Sequence, residues 1–394
     1  RASAQRASFA IAALSIGCAL GARRGHEGRA AVAAMSGIAS TGREGAADLK
    51  YGSRLAWGTS GASLRIAELL GDGESSKVYR GLVDGCRRVP EGISVAMKVI
   101  PRRVALNETQ DAFHHRVSRE INMMRALRDS GAVRYLSHIF LPKDAVVVMQ
   151  LASCSMCAAT LDQEYELDMQ SIAHDILAAL AALHGDMYAH RDIKLESLLL
   201  DCPPGEACRT LISGFDKACS LKASNRYECA GSDDPAGSSD TWPLEAWIGD
   251  ADVWRTQRAQ HIDVWMAGIA LCSIYSRQDC SPSLGAQDAD GEHEDDGLDV
   301  AARAQVSLAG HIADIIWRLE ENNAEEWFVR LISRMLRLKS EDRCTAAECL
   351  QLVPVAAESS AMPERPPKRR RLDSDEDRVT QAAMEVSEAI AWAR

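Results

Sequence analysis

The stretch His190-Arg191-Asp192-Ile193-Lys194-Leu195-Glu196-Ser197 runs without a break into Leu198-Leu199-Leu200. A charged loop is thus tied directly to an apolar run of the kind that fits a buried strand. The rest of the chain must supply a fold that can hold those charges beside its core. At 394 residues it is long enough for one large domain, or two ordinary ones with tails. Hydrophobic residues make up 46% and charged residues 26%, a globular composition rather than a disordered one. The net charge of -11 argues against a general nucleic-acid binder, which needs a positive field. Acidic residues fall in local runs, so they report on surface segments more than on a substrate.

The 12 cysteines are scattered. Cys154 and Cys157 make one Cys-x-x-Cys, with no second pair or suitably spaced histidines, so no zinc site is expected. Mostly free thiols in a reducing cytosol or nucleus are expected instead. Residues 1–53 are read as a disordered or targeting-like segment outside the fold. Phe9 to Ala22 is apolar and follows Arg1 and Arg6, as a signal or transit segment would, but is short for a bilayer span. The tail, 356–394, carries Pro366-Pro367-Lys368-Arg369-Arg370-Arg371, the composition of a nuclear import signal, and Ser374 in an acidic run. Nucleus or cytoplasm is therefore expected, with neither membrane nor nucleic acid as a partner.

Leu64 to Leu70 alternates as a strand does and meets Gly71-Asp72-Gly73 before a second strand through Val78 and Tyr79, which reads as a hairpin. Its two glycines would let backbone amides approach phosphate oxygens; an ordinary turn is the other reading. Ile93 to Ile100 is a strand with Lys98 among apolar residues. A buried ammonium must find an anion; otherwise Lys98 is an edge-strand lysine pointing to solvent. Gln110 to Leu127 has helical signals, with Val117, Ile121, Met124 and Leu127 on one face and Glu120 beside it. Ala145 to Leu151 is a short apolar strand. A helix from about Met169 to His184 has Ile172, Ile176, Leu180 and Leu183 as its buried stripe. After the charged loop come a Pro203-Pro204-Gly205 turn, a strand over 210–213 and Gly214-Phe215-Asp216. A polar segment covers 217–245 and an acidic insert 277–299. Helical periodicity returns around 312–319 and 327–338.

In this order the motifs resemble those of eukaryotic protein kinases. His190-Arg191-Asp192-x-Lys194 is similar to the family's catalytic loop, His-Arg-Asp-x-Lys-x-x-Asn, with Ser197 where the asparagine stands. Asp263-Val264-Trp265 resembles the helix start whose aspartate supports that loop's backbone. Arg343 resembles the arginine that pairs with the activation-segment glutamate, here Glu245. The resemblance implies an α+β, two-lobed kinase-like fold over 62–353: a small β-rich lobe with one helix, and a larger, mainly helical lobe.

It also implies a site. Gly71, Gly73, Val78, Ala96, Met149, Gln150 and Leu151 would surround ATP, with Met149 as gatekeeper and Gln150 and Leu151 in the hinge. Lys98 would contact the phosphates, held by Glu120. Asp192 would orient the substrate hydroxyl, and Lys194 marks the serine/threonine class. Where the family has Asp-Phe-Gly, whose aspartate binds magnesium, this chain has Gly214-Phe215-Asp216. Ser197 and Asp216 are what remains for Mg2+. Arg191 would meet a phosphate on Ser232, Ser238, Ser239 or Thr241. Two readings follow. One is a divergent serine/threonine kinase using ATP on protein substrates, weakly or with unusual metal dependence. The other is a pseudokinase, a nucleotide-binding scaffold or allosteric regulator of protein partners.

Overall fold

The computed structural model describes residues 51–354, apart from 58–61, 74, 86–91, 104–106, 128–129, 164, 204–205, 223–236, 248–250, 255 and 283–299. The apolar segment before Ala22, the basic cluster, Ser374, Ser232 and most of the acidic insert lie outside the described residues. The chain divides into two compact units.

The first unit takes in 51–125 and 133–152. It contains β1 (Arg54–Trp57), β2 (Ala62–Asp72), β3 (Lys77–Asp84), β4 (Ser94–Pro101), α1 (Gln110–Ala126), β5 (Tyr135–Phe140) and β6 (Asp144–Met149). The strands make one antiparallel sheet in the order β1-β2-β3-β4-β6-β5. Period-2 alternation sends Leu64 and Ile66, Val95, Met97 and Val99, and Val146 and Val148 into one buried cluster. The expected hairpin and the strand bearing Lys98 are both present. β1 is additional: its Trp57, 2% exposed, completes that cluster. Four residues are too few for a periodic signal. α1 buries Phe113, Val117, Ile121 and Met124, spaced by three and four as an amphipathic helix requires.

The second unit takes in 126–132 and 153–354. It contains β7 (Cys154–Ser155), α2 (Met156–Leu161), α3 (Met169–Gly185), β8 (Tyr188–Ala189), β9 (Leu198–Asp201), β10 (Arg209–Ile212), β11 (Cys219–Ser220), α4 (Leu244–Trp247), α5 (Arg258–Ser276), α6 (Val300–Glu321), α7 (Glu326–Met335) and α8 (Ala346–Leu350). α3 starts at Asp168, whose carboxylate accepts the N–H groups of Gln170 and Ser171, and it buries the expected stripe. α5 is buried around most of its circumference, including Asp263 and Trp265, which makes it the axis of this core. α6 begins at Val300, well before the periodicity at Ile312. Its first turns are alanine-rich, so high helix propensity extends a helix that the apolar pattern does not mark.

The expectation of mostly free thiols is corrected. Cys202–Cys208 and Cys344–Cys349 are disulfides, while Cys154, Cys272 and Cys280 are free. Cys157 and Cys219 are disulfide-bonded as well. The first two pairs are each brought together by local geometry, across a hairpin in one case and at the start of a helix in the other. Among the described residues no helix is long and apolar enough to cross a membrane.

Candidate active site

In the first unit, Lys98 is 8% exposed and its Nζ lies 2.5 Å from Oε1 of Glu120, itself 4% exposed. The lysine on β4 thus points inward, and the ammonium finds its anion on α1. Lys98 is not a solvent-facing lysine, and Glu120 is not an exposed helical glutamate. Removing one partner of such a pair would leave an uncompensated buried charge. Register brings further residues to the same face. Val78 stands opposite both Gly71 and Lys98, and Ala96 stands opposite Met149. Directly opposed residues share a face, as do residues two apart. Gly71, Val78, Ala96, Lys98 and Met149 therefore lie on one side of the sheet. Gly73 sits at the hairpin tip, its N–H on the Ser76 carbonyl at 2.9 Å. Gln150 donates its N–H to the Arg134 carbonyl at 2.9 Å, and Leu151 follows it, half-buried.

In the second unit the charged loop is held from below by α5. Asp263 is fully buried, and its carboxylate accepts the N–H of His190 (2.8 Å), the N–H of Arg191 (2.6 Å) and a hydrogen bond from Nε2 of His184 (2.9 Å). A buried carboxylate with three donors is compensated, and it fixes the loop's backbone. That grip accompanies an unusual conformation: Arg191 has φ +67°, a region that a bulky residue occupies only when its surroundings hold it there. His190 also packs edge-on against the buried ring of Phe215, with centroids 5.1 Å apart.

Asp192 is brought to Lys194, with Oδ2 and Nζ 3.2 Å apart. Both also meet Ser238, which is 46 and 44 residues downstream of them. The Ser238 N–H donates to Asp192 Oδ1 at 3.0 Å, and Lys194 donates to the Ser238 hydroxyl at 2.6 Å. From the sequence Ser238 was only a candidate phosphate acceptor; its contact with the loop was missed. The available signal was Gly237, whose φ of +86° and lack of room for a Cβ against the Arg191 carbonyl demand glycine. The Arg191 guanidinium is buried and donates to the carbonyl of Lys217 at 2.7 Å, and Thr241 is buried as well. Of the phosphorylation candidates, Ser239 is exposed. Arg343 and Glu245 form the expected pair, with Nη2 to Oε2 at 2.9 Å, and Arg343 lies 4.9 Å from the ring centre of Trp265.

The two positions that the family uses for metal are built differently. The Ser197 hydroxyl donates to the Lys194 carbonyl and accepts the Lys194 N–H, both at 2.9 Å, so it clasps its own loop. Gly214 has no side chain and sits at φ +79°. Asp216 lies two residues on, half-buried. Mg2+ requires near-octahedral oxygen coordination, with one or two carboxylates besides phosphate and water. A hydroxyl already engaged in two hydrogen bonds, beside a glycine, supplies no carboxylate at these two positions. Among the described residues no cluster of three or more His, Cys, Asp or Glu side chains is placed to hold a metal.

A sheet whose buried lysine pairs with a helical glutamate, and a charged loop tethered to a buried aspartate, are features of a protein-kinase-like fold. The sequence pattern of the protein kinase domain matches residues 64–353, and the chain belongs to the protein kinase family. It is 31% identical over 157 residues to serine/threonine-protein kinase 36 of Pongo abelii, covering 39% of this chain and 11% of that one. It is 32% identical over 148 residues to a probable serine/threonine-protein kinase KIN1 homolog of Encephalitozoon cuniculi (strain GB-M1), covering 35% of this chain and 25% of that one. Serine/threonine-protein kinase DCLK2 of Rattus norvegicus is 23% identical over 293 residues, 73% of this chain and 33% of that one. The chain thus spans a third or less of the length of these relatives.

Proposed function

We propose that the chain is a divergent serine/threonine protein kinase that transfers the γ-phosphoryl group of ATP to protein hydroxyls, with weak or unusual metal dependence. The observation that carries this reading is the Asp192–Lys194 pair, 3.2 Å apart on a loop fixed by Asp263. A substrate hydroxyl attacks the γ-phosphorus, its proton is accepted at the Asp192 carboxylate, and ADP leaves. Lys194 offsets charge near Asp192, and Lys98, aligned by Glu120, is the phosphate anchor. Gly71, Gly73, Val78, Ala96, Met149, Gln150 and Leu151 are the nucleotide-binding residues. The serine/threonine kinases among its relatives support the substrate class.

A second reading rests on a different observation: the Ser197 clasp and the bare Gly214. Phosphoryl transfer concentrates charge on the phosphate oxygens. Removing one preorganised stabiliser of such charge typically costs about 2.7–4 kcal/mol, or ~10²–10³ in rate. Under this reading the chain is a pseudokinase that scaffolds or regulates protein partners. Radiolabelled phosphoryl transfer to a generic serine/threonine substrate, with and without magnesium, separates the two. Transfer above an Asp192→Asn control supports the kinase; transfer equal to that control sinks it in favour of the pseudokinase.

A further inference from the structure

The hairpin of β9 and β10 joins two features that the proposed chemistry leaves unconnected. Its register pairs Asp201 with Arg209, Leu200 with Thr210, Leu199 with Leu211 and Leu198 with Ile212. One step beyond the turn end, Cys202 faces Cys208, and the structure bonds them. One step beyond the open end, Ser197 faces Ser213, whose N–H and hydroxyl both donate to the Ser197 carbonyl, at 2.7 and 3.1 Å. Gly214 is the next residue. A single short ladder therefore runs from the disulfide to the two altered metal positions.

Solvent access sets this pair apart. The other bonded cysteines among the described residues, Cys157, Cys219, Cys344 and Cys349, are all buried. Cys208 is exposed and Cys202 is half-buried. A thiol must be reached by its exchange partner to react, so among the described bonded cysteines this pair is the one placed to exchange with a small disulfide while the fold is intact. The link also sits at the turn, where two strands of four residues have few ladder bonds to keep them in register. β9 also pairs with β7, and β10 is an edge strand of that sheet, so a covalent tie at the turn end holds β10 to β9 against local opening.

We propose that Cys202 and Cys208 are a reversible thiol–disulfide switch that locks the β9–β10 hairpin and, through it, the Ser197–Ser213 junction. The oxidant is a low-molecular-weight disulfide. The Cys208 thiolate attacks one of its sulfurs, forming a mixed disulfide and releasing one small thiol. The Cys202 thiolate then attacks the Cys208 sulfur, forming the protein disulfide and releasing the second small thiol. The two protein thiol protons end on the two released thiols. The two protein sulfurs are oxidised and the small disulfide is reduced, so the exchange balances without another reagent. It does not depend on the chain being an active kinase.

The test uses the full chain, equilibrated in glutathione buffers from fully reduced to fully oxidised. Differential alkylation with mass spectrometry reads the state of each cysteine, and hydrogen exchange reads the amides from Leu198 to Ile212. The expected result is reversible formation of the 202–208 bond, with exchange in those amides at least ~10-fold slower in the oxidised chain. Cys208→Ser should remove that difference while leaving exchange in α5 unchanged. Three results would overturn the proposal: a pair that stays dithiol in oxidised buffer, a pair that ends as separate glutathione adducts, or equal exchange in both states. Because the main comparison is between two redox states of one chain, it does not rely on the variant folding.

Discussion

At the scale of single residues, burial decides which charges matter. The side chains of Lys98 and Glu120 are 10% and 5% exposed, whereas those of Arg80 and Glu68 on the same sheet are 43% and 56% exposed. An exposed pair contributes little, because water screens it and two long side chains must be ordered to make it. The buried pair is different: truncating one member strands the other in a low-dielectric setting, typically at a cost of about 3–5 kcal/mol. Lys98→Met is therefore expected to destabilise the first unit by roughly 3 kcal/mol, for that reason. Lys98→Met combined with Glu120→Leu should recover most of the loss, since an apolar pair leaves no stranded charge. Urea unfolding of both variants measures this. A double variant as unstable as the single one would mean that packing, and not charge, sets the cost. The Glu120 carboxylate would then have little thermodynamic reason to require Lys98.

Elements are delimited by local hydrogen bonding as much as by apolar pattern. α3 begins where it does because the Asp168 carboxylate takes the N–H of Gln170 at 3.0 Å and the hydroxyl of Ser171 at 2.6 Å. The hydroxyl bond is the main cause of an acidified Asp168. Burial opposes it, and the Ser171 and Gln170 N–H groups add to it. A carboxyl whose pKa is lowered by folding stabilises the fold while it is ionised. That contribution is complete above the ordinary carboxylate range and is lost as the pH falls through the lowered folded value. Asp168→Ala should cost about 1 kcal/mol near neutrality, as loss of an N-cap does. The gap between the two proteins should close in acid. Asp168→Asn keeps a capping oxygen without the titration, so its stability should track the parent near neutrality and lack this acid-dependent component. Thermal unfolding across pH reads all three proteins. An Asp168→Ala deficit that is constant with pH would show that the charge is not involved.

For the whole molecule, what was legible in the sequence followed from how narrowly chemistry restricts a residue. For Lys98 the chemistry left two readings, an ammonium with a buried anion or an edge lysine, and the likeness to kinase motifs chose between them; Asp263 and Arg343 were legible only through that likeness. The helices of the second unit were legible where apolar spacing marks them and illegible where alanine-rich turns extend them, as over the first turns of α6. Ser238 on Asp192 and Lys194, and Cys202 on Cys208, were not legible. A contact between distant residues, or across a hairpin turn, leaves no periodic trace, and a serine or cysteine is common in any loop. The changes at the family's two metal-binding positions were legible in Ser197 and Gly214, but the hydrogen bonding of the Ser197 hydroxyl to Lys194 is visible only in three dimensions. Metal handling is where these levels meet, because it is read out on the intact chain. Ligand binding raises the unfolding temperature by an amount set by its affinity, about 2.7 kcal/mol of stabilisation at a hundredfold excess over Kd. ATP should therefore raise the unfolding temperature of this protein equally with and without magnesium. Ser197→Asn with Gly214→Asp restores an amide oxygen and a carboxylate. The aspartate enters at φ +79°, a conformation it tolerates better than most residues, at a strain of roughly 1 kcal/mol. In that double variant the ATP-induced shift should become larger with magnesium than without it. A parent protein whose shift already requires magnesium would refute the reading of Ser197 and Gly214 as a lost metal site, whatever its transfer activity.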